Sequence, residues 1–112
     1  MISFKVILYG IRAWLLINSG KYKKCIILLR EKIIWLEGLD DKRNIDCIVK
    51  DNLRIAKCYM KLGQSQYAID YCYQATFTYT STDEQLNKKA LQLRADVLLA
   101  LTKNKNIIYD QY

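Results

Sequence analysis

Four cations carry the most suggestive chemistry in this chain of 112 residues. Lys50, Arg54, Lys57 and Lys61 follow one another at intervals of three and four, the spacing that lines side chains along one face of an α-helix. Lys89 is expected to face them from a later helix, and Trp14, with Ile7 and Ile11, offers an apolar patch at one end. Such a strip can hold a peptide carboxylate or acidic side chains through charge-assisted hydrogen bonds. A solvated helix face is the competing reading of the same stripe. No reacting centre accompanies the cations. Asp40-Asp41, Asp83-Glu84 and Asp96 have no nucleophile beside them to make an acid/base pair useful. The four cysteines, Cys25, Cys47, Cys58 and Cys72, form no Cys-x-x-Cys pair, and there is no histidine to complete a zinc site. No phosphate loop is found. The reading is therefore of a binding protein, not an enzyme, with no cofactor and no metal.

The elements that must position these cations are clearest in residues 52–75. Leu53, Ile55, Ala56, Tyr59 and Leu62, then Ala68, Ile69, Cys72 and Ala75, fall on one face of each of two helices joined at Gly63. So short a connection forces the helices antiparallel, and Ala56 and Ala68 let them approach closely. The rest of the chain repeats this unit. Residues 4–19 predict a helix with Ala13 in the place of Ala56. Gly20 matches Gly63 at an offset of 43, and residues 21–37 give a second helix with Cys25 and Ile26 in the places of Ala68 and Ile69. After a polar connection, a helix is expected from near Asp46 to Leu62 and its partner from Ser65 to about Tyr79. Ser81 and Glu84 have capping-box spacing. Ala95, Leu98 and Leu101 then match Ala56, Tyr59 and Leu62, and a partner helix begins near Asn104 with Ile107 and Ile108 in the places of Ala68 and Ile69. This is the pattern of tetratricopeptide repeats. The expected fold is all-α, a single domain over residues 1–112 forming a helical solenoid of about two and a half repeats: 4–39, 46–80 and a partial third over 83–112.

Composition supports continuous helix, with no proline, four glycines and 52% hydrophobic residues. The cysteines read as reduced, small apolar core residues. A net charge of +7 favours acidic partners, but no groove-reading helix or stacking strand argues for nucleic acid. The apolar N-terminal stretch is interrupted by Lys5 and Arg12, has no preceding basic region or following cleavage site, and falls short of a membrane span. A soluble cytoplasmic chain with no membrane partner is expected. The first helix is apolar on nearly every side, so one neighbour cannot cover it. Something else is expected to do so, and association through this helix is one way.

At Gly20-Lys21-Tyr22-Lys23-Lys24-Cys25-Ile26, followed by Ile33-Ile34-Trp35-Leu36-Glu37, the chain resembles the tetratricopeptide domain of large FKBP-type immunophilins. In that family a Gly-Lys-Tyr opening and a Trp-Leu-Glu ending frame the second helix. Ala56, Cys58, Tyr59, Lys61 and Leu62 are similar to their Ala-x-Cys-Tyr-Leu-Lys-Leu run, as are Lys89-Ala90-Leu91 and Arg94 to the start of their third repeat. The resemblance implies a co-chaperone-like protein-interaction module whose groove binds the acidic C-terminal tail of a heat-shock chaperone. The alternative it allows is the C-terminal regulatory part of a peptidyl-prolyl isomerase whose catalytic domain is absent from this chain. The family's carboxylate clamp falls on Gly10, Trp14, Arg54, Lys89 and Leu93, and only Lys89 keeps the family residue. Arg94 is displaced by one position, about 100° around a helix. The resemblance therefore implies a basic groove with a changed ligand, centred on Lys50, Arg54, Lys57, Lys61, Lys89 and Trp14.

Overall fold

The computed structural model describes the backbone of residues 4–110 and the side chains of residues 4–103. Among the described residues the chain is all-helical, with α1 (Phe4–Asn18), α2 (Tyr22–Gly38), α3 (Ile45–Lys61), α4 (Ser65–Tyr73) and α5 (Glu84–Asp110). A short 3-10 turn, Lys42–Asn44, leads into α3, and a π-helical turn, Gln74–Thr78, continues α4.

The two helix pairs close in the same way, and their glycines explain how. Gly20 and Gly63 both take φ +72°, a left-handed conformation that costs a side-chain-bearing residue roughly 1–2 kcal/mol. In each, the amide three residues past the helix reaches back five residues: Lys21 N donates to Leu16 O at 2.8 Å, and Gln64 N to Tyr59 O at 2.9 Å. These closures satisfy helix-end carbonyls and turn the chain back on itself.

α3 lies at the centre, packed against α2 on one side and against α4 and α5 on the other. Cys25, Leu29, Leu36, Ile48, Ile55 and Cys58 form the core between α2 and α3. Ala56, Ala68, Cys72 and Val97 join α3, α4 and α5. Burial of each large side chain such as Leu29 or Ile55 contributes about 1.5–3 kcal/mol. Cys25, Cys58 and Cys72 are buried free thiols within this core, as the apolar periodicity requires. Burial pushes the Cys72 thiol up to about 11.

α1 divides into two faces. Val6, Tyr9, Ala13, Leu16 and Ile17 pack toward α2, while Phe4, Ile7, Leu8, Ile11, Trp14 and Leu15 remain exposed. The expectation that one neighbour leaves part of this helix uncovered is met. No helix among the described residues is long and apolar enough to cross a membrane.

The structure corrects three local expectations. Asp83, not Ser81, caps α5: its Oδ1 accepts from Gln85 N at 3.0 Å and Leu86 N at 3.3 Å. Ser81 instead accepts from Asp83 N and donates to Asp46 Oδ1 at 2.6 Å, fastening the loop to α3. The helix from Ser65 reaches the expected end, but its last turn is π, with Tyr79 N donating to Gln74 O at 3.0 Å. Finally, α5 continues through Asn104 to Asp110 where a new helix was expected. No glycine or proline interrupts that stretch, so nothing in it ends a helix. The side chains of Ile107 and Ile108 lie outside the described residues.

Candidate functional site

The cation strip is built by the amphipathic pattern of α3. Ile48, Val49, Leu53, Ile55, Ala56 and Cys58 are buried, which leaves Lys50, Arg54, Lys57 and Lys61 exposed on the remaining arc. Among the described residues, Lys50, Lys57 and Lys61 make no ion pair within 4 Å. Arg54 is the exception, because its Nη1 donates to Asp51 Oδ1 at 3.2 Å.

Asp51 is itself fully buried and accepts from Lys32 of α2, whose Nζ lies 3.2 Å from Oδ1 and 3.1 Å from Oδ2. Lys32 is buried too, with 2% of its surface exposed. Cys47 Sγ approaches Asp51 Oδ2 at 3.8 Å. Burial pushes the Asp51 carboxyl up, while first Lys32 and then Arg54 pull it the other way. Two charges in the seam between α2 and α3 are thus paired, and the pair extends to the surface through Arg54. An arginine held this way has fewer orientations to lose when it meets a ligand.

Sequence reasoning missed this cluster, although the signal was present. Lys32 shares the buried side of α2 with Leu29, Ile33 and Leu36, and Asp51 stands between Ile48 and Ile55 on the buried side of α3. A charge at a core position demands an opposite charge or a hydrogen-bond partner, and here each residue is the other's.

The remaining expected residues separate. Lys89 is exposed on α5. Its neighbours Leu86 and Ala90 share a cluster with Val49 and Leu53, so this turn of α5 packs against the first half of α3. Lys50 also lines a cleft of about 500 Å³ with Asp41, Asp46 and Trp35. Trp14 is 64% exposed on α1 and lines neither this cleft nor the larger one beyond α3. Arg94 turns elsewhere: Nη1 donates to Thr76 Oγ1 at 3.3 Å, and the guanidinium lies 4.9 Å from the centre of the Phe77 ring. It is used in packing against the π turn.

The tyrosines do more than fill space. Tyr59 meets Tyr67 and Tyr71 with ring centres 5.5 and 5.7 Å away. The three border the larger cleft, of about 610 Å³, between α2 and α4. Tyr79 spans one end by donating its hydroxyl to the Glu37 carboxylate, and Tyr73 stacks on Phe77. Among the described residues, no group of cysteine and carboxylate side chains could hold a metal ion.

Comparisons with protein families, with curated proteins and with solved structures find no match for this chain.

Proposed function

We propose that this chain is a protein-interaction module of the tetratricopeptide type, related to the co-chaperone domains of FKBP-type immunophilins, which binds an acidic peptide of a partner along α3. The observation that carries the reading is the exposed row Lys50, Arg54, Lys57 and Lys61, with Arg54 held by Asp51. Lys89 supplies a further exposed cation on α5. The matching closures at Gly20 and Gly63 support the repeat reading. In this account the module works by charge and shape, without catalysis. A heat-shock chaperone tail belongs to the class of ligand that the row suits, since it would bring a terminal carboxylate and acidic side chains together.

Calorimetric titration with a peptide ending in several glutamates and aspartates tests the proposal. Saturable binding should weaken as salt rises from about 0.05 M to about 0.5 M, because exposed charges are screened over a shorter distance. The double substitution Arg54→Glu and Lys57→Glu should reduce the affinity at least about tenfold, roughly 1.4 kcal/mol. Equal affinity in the folded double variant would remove the row from the proposal.

A further inference from the structure

Asn52 and Tyr59 lie roughly 180° around α3 from Lys50, so the larger cleft opens on the side away from the cation row. α2 and α4 scarcely touch one another there. The cleft of about 610 Å³ fills the gap, with Tyr59 below, Ile34 and Glu37 on one wall, and Tyr67, Asp70 and Tyr71 on the other. Ile34 is 69% exposed and Tyr67 50%. These two exposed hydrophobic side chains flank a single opening.

We propose that this cleft recognises an extended, proline-rich segment of a partner protein carrying lysine or arginine among its prolines. The choice of occupant rests on charge, hydrogen bonding and size. Glu37 and Asp70 against Arg30 leave the lining one charge negative in a chain of net charge +7. Asp70 has no ion pair within 4 Å among the described residues. A cationic side chain is therefore drawn to this wall, and an acidic segment is drawn to the opposite side of α3.

The lining also supplies donors in Tyr67, Gln74 and Arg30. A polyproline II segment has no internal hydrogen bonds, so its carbonyls need such donors. A helix satisfies its carbonyls internally and would leave them unused. Size points the same way. The α2 wall from Arg30 to Glu37 is about 10 Å long, the length of about three polyproline II residues. The clustered rings of Tyr59, Tyr67 and Tyr71 offer the aromatic surface on which proline-rich segments dock. The chain has no proline among its 112 residues, so these residues do not provide the occupant.

The test titrates the whole chain with a Pro-Pro-Arg repeat peptide, followed by calorimetry and amide shifts. An Ala-Ala-Arg repeat of equal length and charge is the control. The Pro-Pro-Arg peptide should bind saturably, with shifts at Tyr67, Asp70 and Tyr71, and the control at least about tenfold more weakly. Tyr67→Ala should reduce the affinity about tenfold, and Asp70→Asn should reduce it severalfold. Ile34→Ser alters a largely exposed side chain and provides a second test should Tyr67→Ala disturb the fold. It too should weaken binding severalfold. The Arg54→Glu, Lys57→Glu protein should bind the peptide at least as well as the unmodified chain, which separates this site from the cation row. No saturable binding, equal binding of the control, preference for an amphipathic helical peptide, or unchanged affinity in Ile34→Ser would each overturn the proposal.

Discussion

The two sides of α3 are built from the same helix and present opposite surfaces. One carries Lys50, Arg54, Lys57 and Lys61 in solvent; the other presents Asn52 and Tyr59 to a tyrosine-lined cleft with an acidic excess. Between them run the buried arcs that pack against α2, α4 and α5. The cation strip can change its chemistry separately, because changing an exposed residue costs little stability, whereas Asn52 and Tyr59 are also held in the packing of the core. The lesson extends to α1. At the 43-residue offset, Ile7, Ile11 and Trp14 stand where Lys50, Arg54 and Lys57 stand on α3. They are exposed and apolar, so the fold allows the row to change chemistry from one pair to the next.

The most severe way to break this arrangement is to remove Asp51, which ties the core to the cation row. Asp51→Ala leaves Lys32 buried without a counter-charge and should cost about 3–5 kcal/mol, read as a lowered midpoint in denaturant unfolding. Replacing both partners, as in Lys32→Met with Asp51→Leu, should recover most of that loss. A double variant no more stable than Asp51→Ala would show that the pair itself is not what matters.

The Arg54→Glu, Lys57→Glu substitution has its effect on one side only. It should reduce acidic-peptide affinity by about tenfold or more, while stability changes by less than about 1 kcal/mol. Gly63→Ala disturbs the other side by straining the turn that sets α4 beside α3. A Cβ there meets nothing within 4 Å, so the expected loss of about 1–2 kcal/mol is purely conformational. Gly20→Ala should cost a similar amount.

The smallest effect sharpens the boundary of the cation row. Asp41 accepts both a backbone and a side-chain hydrogen bond from Arg43, with Nη2 2.7 Å from Oδ2, and the Arg43 side chain holds its carboxyl down at about 2. Because the folded value is depressed, any stabilisation is present above the usual carboxylate range and is lost as pH falls through about 2. Arg43→Ala should return Asp41 toward an ordinary value near 3.9 in an NMR titration, with the acidic-peptide affinity unchanged.

How much of this was legible depends on the range of the interaction. Apolar spacing and Gly63 were enough to place α3 and α4, because both act within a few residues. The exposed arc of α3 followed from the same spacing and yielded the cation row. The Lys32–Asp51 pair lies 19 residues apart in the chain and becomes visible only when two buried faces are considered together. The cleft was not legible for a related reason: Tyr59, Tyr67 and Tyr71 occupy positions compatible with packing, and only the gap between α2 and α4 turns them into a lining. At Asn104 the repeat pattern suggested a turn, but no local residue required one.

Amide shift mapping with the acidic-tailed peptide tests the two-sided account most directly. Shifts are expected at Lys50, Arg54, Lys57 and Lys61, with Tyr67, Asp70 and Tyr71 unmoved, and they should be lost in the Arg54→Glu, Lys57→Glu protein. Shifts centred on the tyrosine cleft, or persisting in that variant, would contradict it.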